Sequence, residues 1–423
     1  MKPYAKPSLP ALALLPAYAP RSKAFPNITQ LKAIDAQLMA DMAVSMYLSA
    51  TRPLLVCFAL LSIFTVPAHA QTSTKDYRDW SVTCSNLKTC TAVSISGLNE
   101  MDLSKPPRGV SDNTETGWLW VEIEAGPNAK PKILYSGEYL ADQPAAKDGT
   151  LRILCPNGRV LANGVFVLTS HESGASQVQS ADIARFIHVA RSGQSVVYSP
   201  GTSRTVHSFA SLSGFVAALR AIEAQQGRTG TTGAWIDGGK QPRDRIPPAP
   251  TTPRVSAMAF SKMTNRTTVP KLVMDRRKAE CDDSERLDFG GQGIEGFNLG
   301  KGRILWAVPC GAGAYNMWSK FYLQTHSTRL EPYPFSSPDP ATDEQDDHSL
   351  VNVSVEPETG QISAFSKGRG VGDCGSAQTY VWDGAEFVLT SWIEMTACSG
   401  LTPDFWPVRV KKDVIPRPAK AKR

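Results

Sequence analysis

Residues 80–94, WSVTCSNLKTCTAVS, contain two five-residue stretches, 80–84 and 90–94, in which aromatic and β-branched side chains alternate with polar ones. Such stretches are typical of β-strands, because branched and aromatic side chains pack well on a pleated, half-buried surface. A short polar segment separates them, and a cysteine stands at the inner end of each. The segment therefore predicts two strands.

The same pattern continues through the first half of the chain. Further strands are predicted at residues 117–124, 132–135, 151–154 and 163–169. Asn163-Gly164 is the strongest turn signal, since both residues tolerate a positive φ. Two apolar stripes of helical period follow: Ile183, Phe186, Ile187 and Ala190, then Leu212, Phe215, Leu219 and Ile222. Ser180 and Gly193 bound the first predicted helix, and Gly227 ends the second.

Residues 236–255, IDGGKQPRDRIPPAPTTPRV, contain five prolines and two glycines and interrupt every periodic pattern. Such composition is typical of a semi-rigid linker. We therefore predict a β-rich first domain at residues 71–235 with two helices near its end, and a linker at residues 236–267. A second domain follows at 268–412, and a basic tail at 413–423.

The second domain is predicted to be an antiparallel β structure with one short helix at residues 271–279. Turns are expected at Thr359-Gly360 and Asp383-Gly384. Its predicted strands are residues 304–308, 315–323, 351–355, 362–365, 379–382, 387–392 and 408–410. The fold class is therefore mainly β, a β-rich α+β protein with two antiparallel β domains.

Residues 1–70 carry an export signal. An apolar run at residues 54–66 follows Arg52, and Ala68 and Ala70 form a cleavage site of the A-x-A type. Since a leader beginning at Met46 has an ordinary length, the residues before it are interpreted as an overextended N-terminus. The run is shorter than the roughly 20 residues that span a bilayer. We predict a periplasmic or secreted protein, cleaved after Ala70 and not integral in the membrane.

Cysteine content supports export. Beyond Cys57 in the leader, the chain has seven cysteines: Cys84, Cys90, Cys155, Cys281, Cys310, Cys374 and Cys398. An oxidising compartment favours disulfides, and six cysteines allow 15 pairings. The simplest set joins neighbours, namely Cys84 with Cys90, Cys281 with Cys310 and Cys374 with Cys398. Cys155 then stays unpaired, and its apolar surroundings at residues 152–156 predict a buried, inert thiol.

Composition excludes several classes of protein. Hydrophobic residues make up 42% and charged residues 20% of the chain, as in an ordinary globular protein. The net charge of +6 is spread along the chain, and its dense basic runs are confined to the C-terminus. We therefore predict no nucleic-acid partner. The histidines are scattered and no C-x-x-C pair occurs, so neither a metal nor a cofactor is predicted.

Several stretches carry a family resemblance: residues 79–84, Cys90-Thr-Ala, residues 309–316, residues 367–375, residues 380–384, Phe387 and Trp406-Pro407. Through them the chain resembles a bacterial exported family with six cysteines, the domain of unknown function numbered eleven seventy-six. The resemblance covers residues 76–410 and implies no activity. The first domain is also similar to invasion-associated locus B proteins, through Trp80, Cys84, Cys90, residues 163–165 and residues 211–219. This similarity implies an association with the envelope.

Familiar catalytic motifs do not occur in the sequence. G-x-S-x-G, H-E-x-x-H and the Walker phosphate loop are missing. Residues 291–296 match G-x-G-x-x-G, but a predicted strand follows them where a dinucleotide site needs a helix. Asp373 and Glu394 could still form a dispersed acid and base. The alternative to a binding protein is therefore an envelope hydrolase that uses such carboxylates.

One loop is a candidate ligand site. Residues 367–374, KGRGVGDC, place Lys367, Arg369 and Asp373 among three glycines, and successive amides in glycine-rich turns can bind an anion. The other interpretation is a wide hairpin in which Asp373 bonds its own backbone. A second candidate surface is aromatic, and these residues either line a groove or belong to the core: Tyr315, Trp318, Trp382, Trp392 and Trp406. We predict a non-catalytic envelope protein that binds a peptide, a glycan or a protein partner.

Overall fold

The computed structural model describes residues 74–94, 106–136, 148–263, 269–281, 293–336, 349–398 and 400–416. All of them belong to one compact unit, His69–Arg423. The predicted leader and cleavage site, and residues 417–423 of the predicted basic tail, lie outside the described residues. Among the helices that the structure describes, none has the length and apolar character needed to cross a bilayer.

Most strands of the first half belong to one largely antiparallel sheet, in the order β1-β2-β3-β5-β6-β9-β8-β7-β10-β11-β4. The strands are β1 (Lys75–Tyr77), β2 (Trp80–Cys84), β3 (Cys90–Ser94), β4 (Glu115–Thr116), β5 (Trp118–Ile123), β6 (Lys132–Ser136), β7 (Gly149–Leu154), β8 (Val160–Ser170), β9 (Ser176–Val178), β10 (Ser195–Pro200) and β11 (Ser208–Ser211). The strands predicted from residues 80–94 are β2 and β3, which pair from Trp80↔Ser94 to Cys84↔Cys90.

Two helices cover one face of this sheet, α1 (Ile183–Ala190) and α2 (Phe215–Gln226). Their apolar stripes are buried against the strands in one core cluster, which includes Trp80, Phe186 and Phe215. α2 ends as predicted at Gly227, whose φ of 68° is a left-handed conformation that glycine adopts without strain. α1 begins later than predicted, because Asp182 rather than Ser180 occupies the N-cap position.

The turn predicted at Asn163-Gly164 is wrong. Both residues lie inside β8, where Asn163 has a φ of 58° beside a shift in the β7–β8 register. The chain reverses earlier, since the amide of Cys155 donates to the carbonyl of Arg159 and Gly158 has a φ of 82°. Asn-Gly therefore marks an irregularity within a strand, since a positive φ also suits a bulge.

Besides one two-stranded sheet, two larger sheets form the second half. One has the order β13-β14-β15-β16-β17, with β18 also paired to β16, and the other runs β19-β20-β21-β22-β23. The elements of this half are β12 (Arg254–Ala257), β13 (Ser261–Lys262), α3 (Lys271–Glu280), β14 (Glu295–Gly300), β15 (Arg303–Ala312), β16 (Met317–His326), β17 (Arg329–Pro332), β18 (Ser349–Val351), β19 (Ser354–Glu356), β20 (Gln361–Lys367), β21 (Gly375–Trp382), β22 (Phe387–Met395), β23 (Val408–Lys411) and β24 (Asp413–Pro416).

Both sheets contribute to one core cluster, where Phe297 and Phe321 lie with Tyr380 and Trp392. The single strand predicted at residues 351–355 is two strands, because Asn352 takes a φ of 46° and interrupts the pairing. The β-rich class with antiparallel sheets is confirmed.

The segment predicted as a linker contains ordered structure. Ile236 and Ile246 are buried, and β12 pairs in parallel with β24. The predicted tail therefore begins with a strand. The division into two domains at residues 236–267 stays a prediction.

The two halves of the compact unit pack against each other. Trp118 and Trp120 share a buried cluster with Phe405 and Trp406. The indole of Trp120 donates a hydrogen bond to the carbonyl of Phe405 (3.2 Å). Direct contact therefore fixes residues 403–406 against the first sheet.

Three disulfides join Cys84 with Cys90, Cys281 with Cys310 and Cys374 with Cys398. Among the described cysteines, Cys155 alone is unpaired. The prediction that it is buried in an apolar strand is wrong, because it follows β7 and is partly exposed. Its thiol donates to Oδ1 of Asn157 (2.8 Å), which ties it into the β7–β8 turn.

Candidate functional site

The predicted ligand loop connects β20 to β21, and both of its ends are fixed. At its start the amide of Gly368 donates to the carbonyl of Cys374 (2.8 Å), and at its end Cys374 forms a disulfide with Cys398. Gly375 has a φ of 129°, and a Cβ there would lie 1.9 Å from the carbonyl oxygen of Ser366. Only glycine fits that position.

Asp373 and Arg369, which the sequence placed in this loop, bind each other. The guanidinium contacts both carboxylate oxygens, with Nε 2.6 Å from Oδ1. The amide of Gly400, beyond Cys398, adds a third hydrogen bond (2.6 Å), and Asp373 is only 3% exposed. Burial alone would raise the pKa of Asp373, but these hydrogen bonds and the charge of Arg369 outweigh it and lower the pKa.

Asp373→Asn is expected to lower the free energy of unfolding at pH 7 by about 1–3 kcal/mol, because a charge-assisted bidentate contact is lost. The native pKa lies below the unfolded value, so the carboxylate stabilises the fold above that value. The difference between wild type and variant should therefore shrink as the pH falls below about 4. Urea unfolding from pH 7 to pH 2.5 measures it.

Asp275→Asn is the matched control, since Asp275 forms an exposed ion pair with Lys271. It should change stability by less than about 1 kcal/mol. A difference for Asp373→Asn that stays constant down to pH 2.5 would contradict the assigned role of the carboxylate.

An asparagine pair that the sequence did not reveal holds the base of the loop. The side chain of Asn316 accepts from the amide of Lys367 (3.1 Å) and donates to its carbonyl (2.8 Å). Asn352 donates to Oδ1 of Asn316 and to the carbonyl of Phe365, both at 2.8 Å. Asn316 ends the stretch 309–316 that carries the family resemblance, but Asn352 belongs to no motif, and nothing in the sequence indicates that the two side chains meet.

The aromatic residues proposed from the sequence divide into two groups. Trp382, Trp392 and Trp406 are buried in the core clusters and line no groove. Tyr315 is 42% exposed and its hydroxyl donates to the carbonyl of Gly368 (3.2 Å), so it lies against the ligand loop. Trp318 is partly buried.

Glu394, the second carboxylate of the hydrolase alternative, forms an ion pair with Arg409. The Arg409 side chain is only 6% exposed, and its guanidinium stacks 3.7 Å from the centroid of the Trp392 ring. Glu394 faces Ser376 across the β21–β22 pairing. Each of the two carboxylates therefore has an arginine partner of its own.

Asp373, Cys374 and Cys398 place ligand-type atoms within 4.8 Å of one another, the one such group of three among the described residues. The disulfide removes both thiolates as ligands, and Arg369 binds the carboxylate. In the oxidised protein this group therefore offers no cation site.

A cleft of about 640 Å³ lies in the first half, in a place that the sequence did not indicate. The β1–β2 turn, the segment before β10 and the first turn of α2 form its walls. Its lining residues are Tyr77, Arg78, Pro156, Gly193, Gln194, Leu212, Ser213, Gly214, Val216, Ala217 and Arg220. They are far apart in sequence, so no motif announces the cleft.

The fold and these sites define a class: a disulfide-bonded β-rich protein whose candidate carboxylates are held by arginines. Three disulfides suggest an oxidising, exported location. The chain belongs to the family described as "Protein of unknown function (DUF1176)", which matches residues 74–411.

A relative from Escherichia coli (strain K12), the uncharacterized protein YpfG, is 27% identical over 379 residues. The match covers 84% of this chain and 96% of that protein. No solved structure matches the chain. The similarity of the first half to invasion-associated locus B proteins stays a prediction.

Proposed function

We propose that this protein is a non-catalytic, exported envelope protein that binds a peptide or protein partner through the loop between β20 and β21. The loop surface consists of Tyr315, Lys367, Arg369 and Val371. The observation that carries the proposal is the exposure of Val371, which at 65% is the highest of any large hydrophobic side chain in the described part of the chain. An exposed apolar side chain on a loop that is fixed at both ends, beside an exposed aromatic ring, suits a partner interface.

The loop surface is anchored by contacts within the protein. The Arg369–Asp373 ion pair, the Cys374–Cys398 disulfide and the Asn316 side chain hold it from three directions. A Cβ at Gly370 would lie 3.5 Å from the Tyr315 ring, so the ring packs beside the loop tip. Ordering a loop on binding costs free energy, so a fixed loop binds more tightly for the same contacts.

The same contacts weigh against hydrolysis. A general acid or base works best with a pKa near the working pH. Arg369 and the amide of Gly400 instead lower the pKa of Asp373, away from neutral pH. Glu394 is bound by Arg409. Both carboxylates serve as structural partners of arginines, which favours the binding protein over the hydrolase.

Export rests on two supports. The apolar run and the A-x-A site at residues 54–70 form a leader that ends at Ala70, and the three disulfides suit the oxidising periplasm. The mature protein then begins at Gln71.

A photo-crosslinking amino acid in place of Val371 tests the partner in living cells. We expect an adduct of defined mass on the periplasmic form of the protein, and the intact mass of that form should match a chain that begins at Gln71. The same amino acid at Met274, 45% exposed on α3, is the control and should give no adduct. Adducts that contain glycan instead of peptide would show that the ligand is a glycan and not a peptide or protein. The absence of any adduct at position 371 would contradict the proposal.

Val371→Asp should reduce the affinity for the partner identified in this way at least ~30-fold, the effect of a hot-spot residue. Val165→Asp is the matched control, since Val165 is 48% exposed on β8 in the other half. Equal affinities of the two variants would place the interface elsewhere.

A further inference from the structure

The cleft in the first half is a second site, independent of the loop surface. We propose that it binds the C-terminal end of a peptide, with the terminal carboxylate at Arg78 and an apolar last side chain against Leu212 and Val216. This goes beyond the proposed function, because it concerns other residues and another ligand chemistry.

Arg78 occupies a position that disfavours a side chain. It is the first of two residues in the turn that joins β1 to β2, where Tyr77 pairs with Trp80. Its φ is 56°, and at the first position of such a turn glycine is preferred. An arginine in a left-handed conformation is strained, and strained residues cluster at functional sites.

The guanidinium of Arg78 is also uncommitted. Arg78 is exposed and lines the cleft, and within the described residues it has no hydrogen bond and no ion pair. Guanidinium groups recognise carboxylates with two parallel hydrogen bonds. The residue is therefore available for an anionic ligand end.

The charges around the cleft favour an anion. None of the eleven lining residues is acidic. The second lining arginine, Arg220, contacts both oxygens of Asp237 through Nε, at 3.1 and 2.9 Å. Asp79, next to Arg78, accepts a hydrogen bond from the hydroxyl of Ser211 (2.6 Å) and does not line the cleft.

The remaining walls suit a peptide end. Tyr77, Pro156, Leu212, Val216 and Ala217 present apolar surface. The side chains of Gln194 and Ser213 also line the cleft and, among the described residues, bond to no other side chain, so they can pair with a peptide backbone. The volume lies within the range of small-ligand sites, roughly 300–1,000 Å³.

Retention of peptides on the immobilised mature protein tests the proposal. The probes are two acetylated mixtures of randomised tetrapeptides, one with a free C-terminal carboxylate and one with a C-terminal amide. We expect at least ~10-fold greater retention of the free acids, the size of one charge-assisted contact, with apolar residues enriched at the last position. Mass spectrometry of the eluted peptides measures both.

Arg78→Gly separates binding from folding, since glycine relieves the positive φ and the melting temperature should stay equal or rise. Its preference for the free acids should fall at least ~10-fold. Lys301→Gly is the matched control, because Lys301 has a φ of 52° in the turn between β14 and β15 and should leave retention unchanged.

Three outcomes would overturn the proposal. They are equal retention of acids and amides, wild-type retention by Arg78→Gly, and no retention of either mixture at ~1 mM peptide. Octanoate serves as a separate probe for the third outcome, since its retention there would assign the cleft to small acids.

Discussion

Glu223→Ala is expected to lower the free energy of unfolding by about 3–5 kcal/mol, because it removes the acceptor of three backbone amides in a water-excluded part of the first half. Glu223 lies on α2 and is fully buried. Its Oε1 accepts from the amides of Trp235 and Ile236, and its Oε2 accepts from the amide of Asp237 (3.0 Å). The variant leaves these donors without a partner.

The loss extends to the neighbouring arginine. Arg228 is 1% exposed, and Glu223 is the opposite charge that acts on it. The guanidinium bonds Oε1 of Gln226 (2.6 Å) and the carbonyl of Gly126 (2.6 Å). A buried cation that loses its opposite charge is strongly destabilising.

Urea unfolding at pH 7 measures the effect, and Glu223→Gln serves as a variant with an intermediate expected loss. The amide keeps one acceptor oxygen and loses the charge, so its stability should lie between those of wild type and Glu223→Ala. Arg220→Ala on the same helix is the control, because Arg220 is 54% exposed in its ion pair and should cost less than about 1 kcal/mol. A loss of that small size for Glu223→Ala would refute the role assigned to the buried carboxylate.

Replacing both Cys374 and Cys398 by alanine is expected to destabilise the protein by about 3.5 kcal/mol, from the loop-closure entropy alone. The two cysteines are 24 residues apart in sequence. Cys374 is also part of the buried cluster that contains Trp118, Trp120 and Phe405. The double variant should therefore loosen the packing between the two halves as well, and crosslinking through position 371 should weaken.

The Cys84–Cys90 pair provides the comparison. It closes a loop with a separation of only 6 residues, so its removal should cost about 2 kcal/mol in the same model. Urea unfolding of the two double variants under identical conditions gives the difference. Equal losses would show that loop length does not govern these disulfides.

Local pattern determined much of the fold. The aromatic and β-branched residues of 80–94 placed β2 and β3 at their observed bounds, although both strands are buried on both faces and not half buried as the alternation predicted. The apolar stripe from Leu212 to Ile222 and the glycine at position 227 likewise placed α2. The prediction of export, from the leader and the cysteine content, and the family resemblance also came from the sequence alone.

Tertiary structure alone decided which residues meet. Asn163-Gly164 carries a turn signal, yet the pairing of β7 with β8 keeps it inside a strand, since long-range hydrogen bonds override local preference. The sequence placed Arg369 and Asp373 in the ligand loop. Only the tertiary structure shows that they form an ion pair and that the amide of Gly400 also donates to the Asp373 carboxylate.

The cleft shows the same limit. Tyr77, Pro156 and Leu212 come from three distant parts of the chain, and only the order of strands in the sheet brings them together. The sequence by itself determined β2, β3 and the α2 helix, because these depend on neighbours along the chain, but it did not indicate β10 or β11 and left 15 pairings of six cysteines open. The tertiary structure decided the partners of the charged groups and the position of the cleft, because those depend on contacts across the sheet.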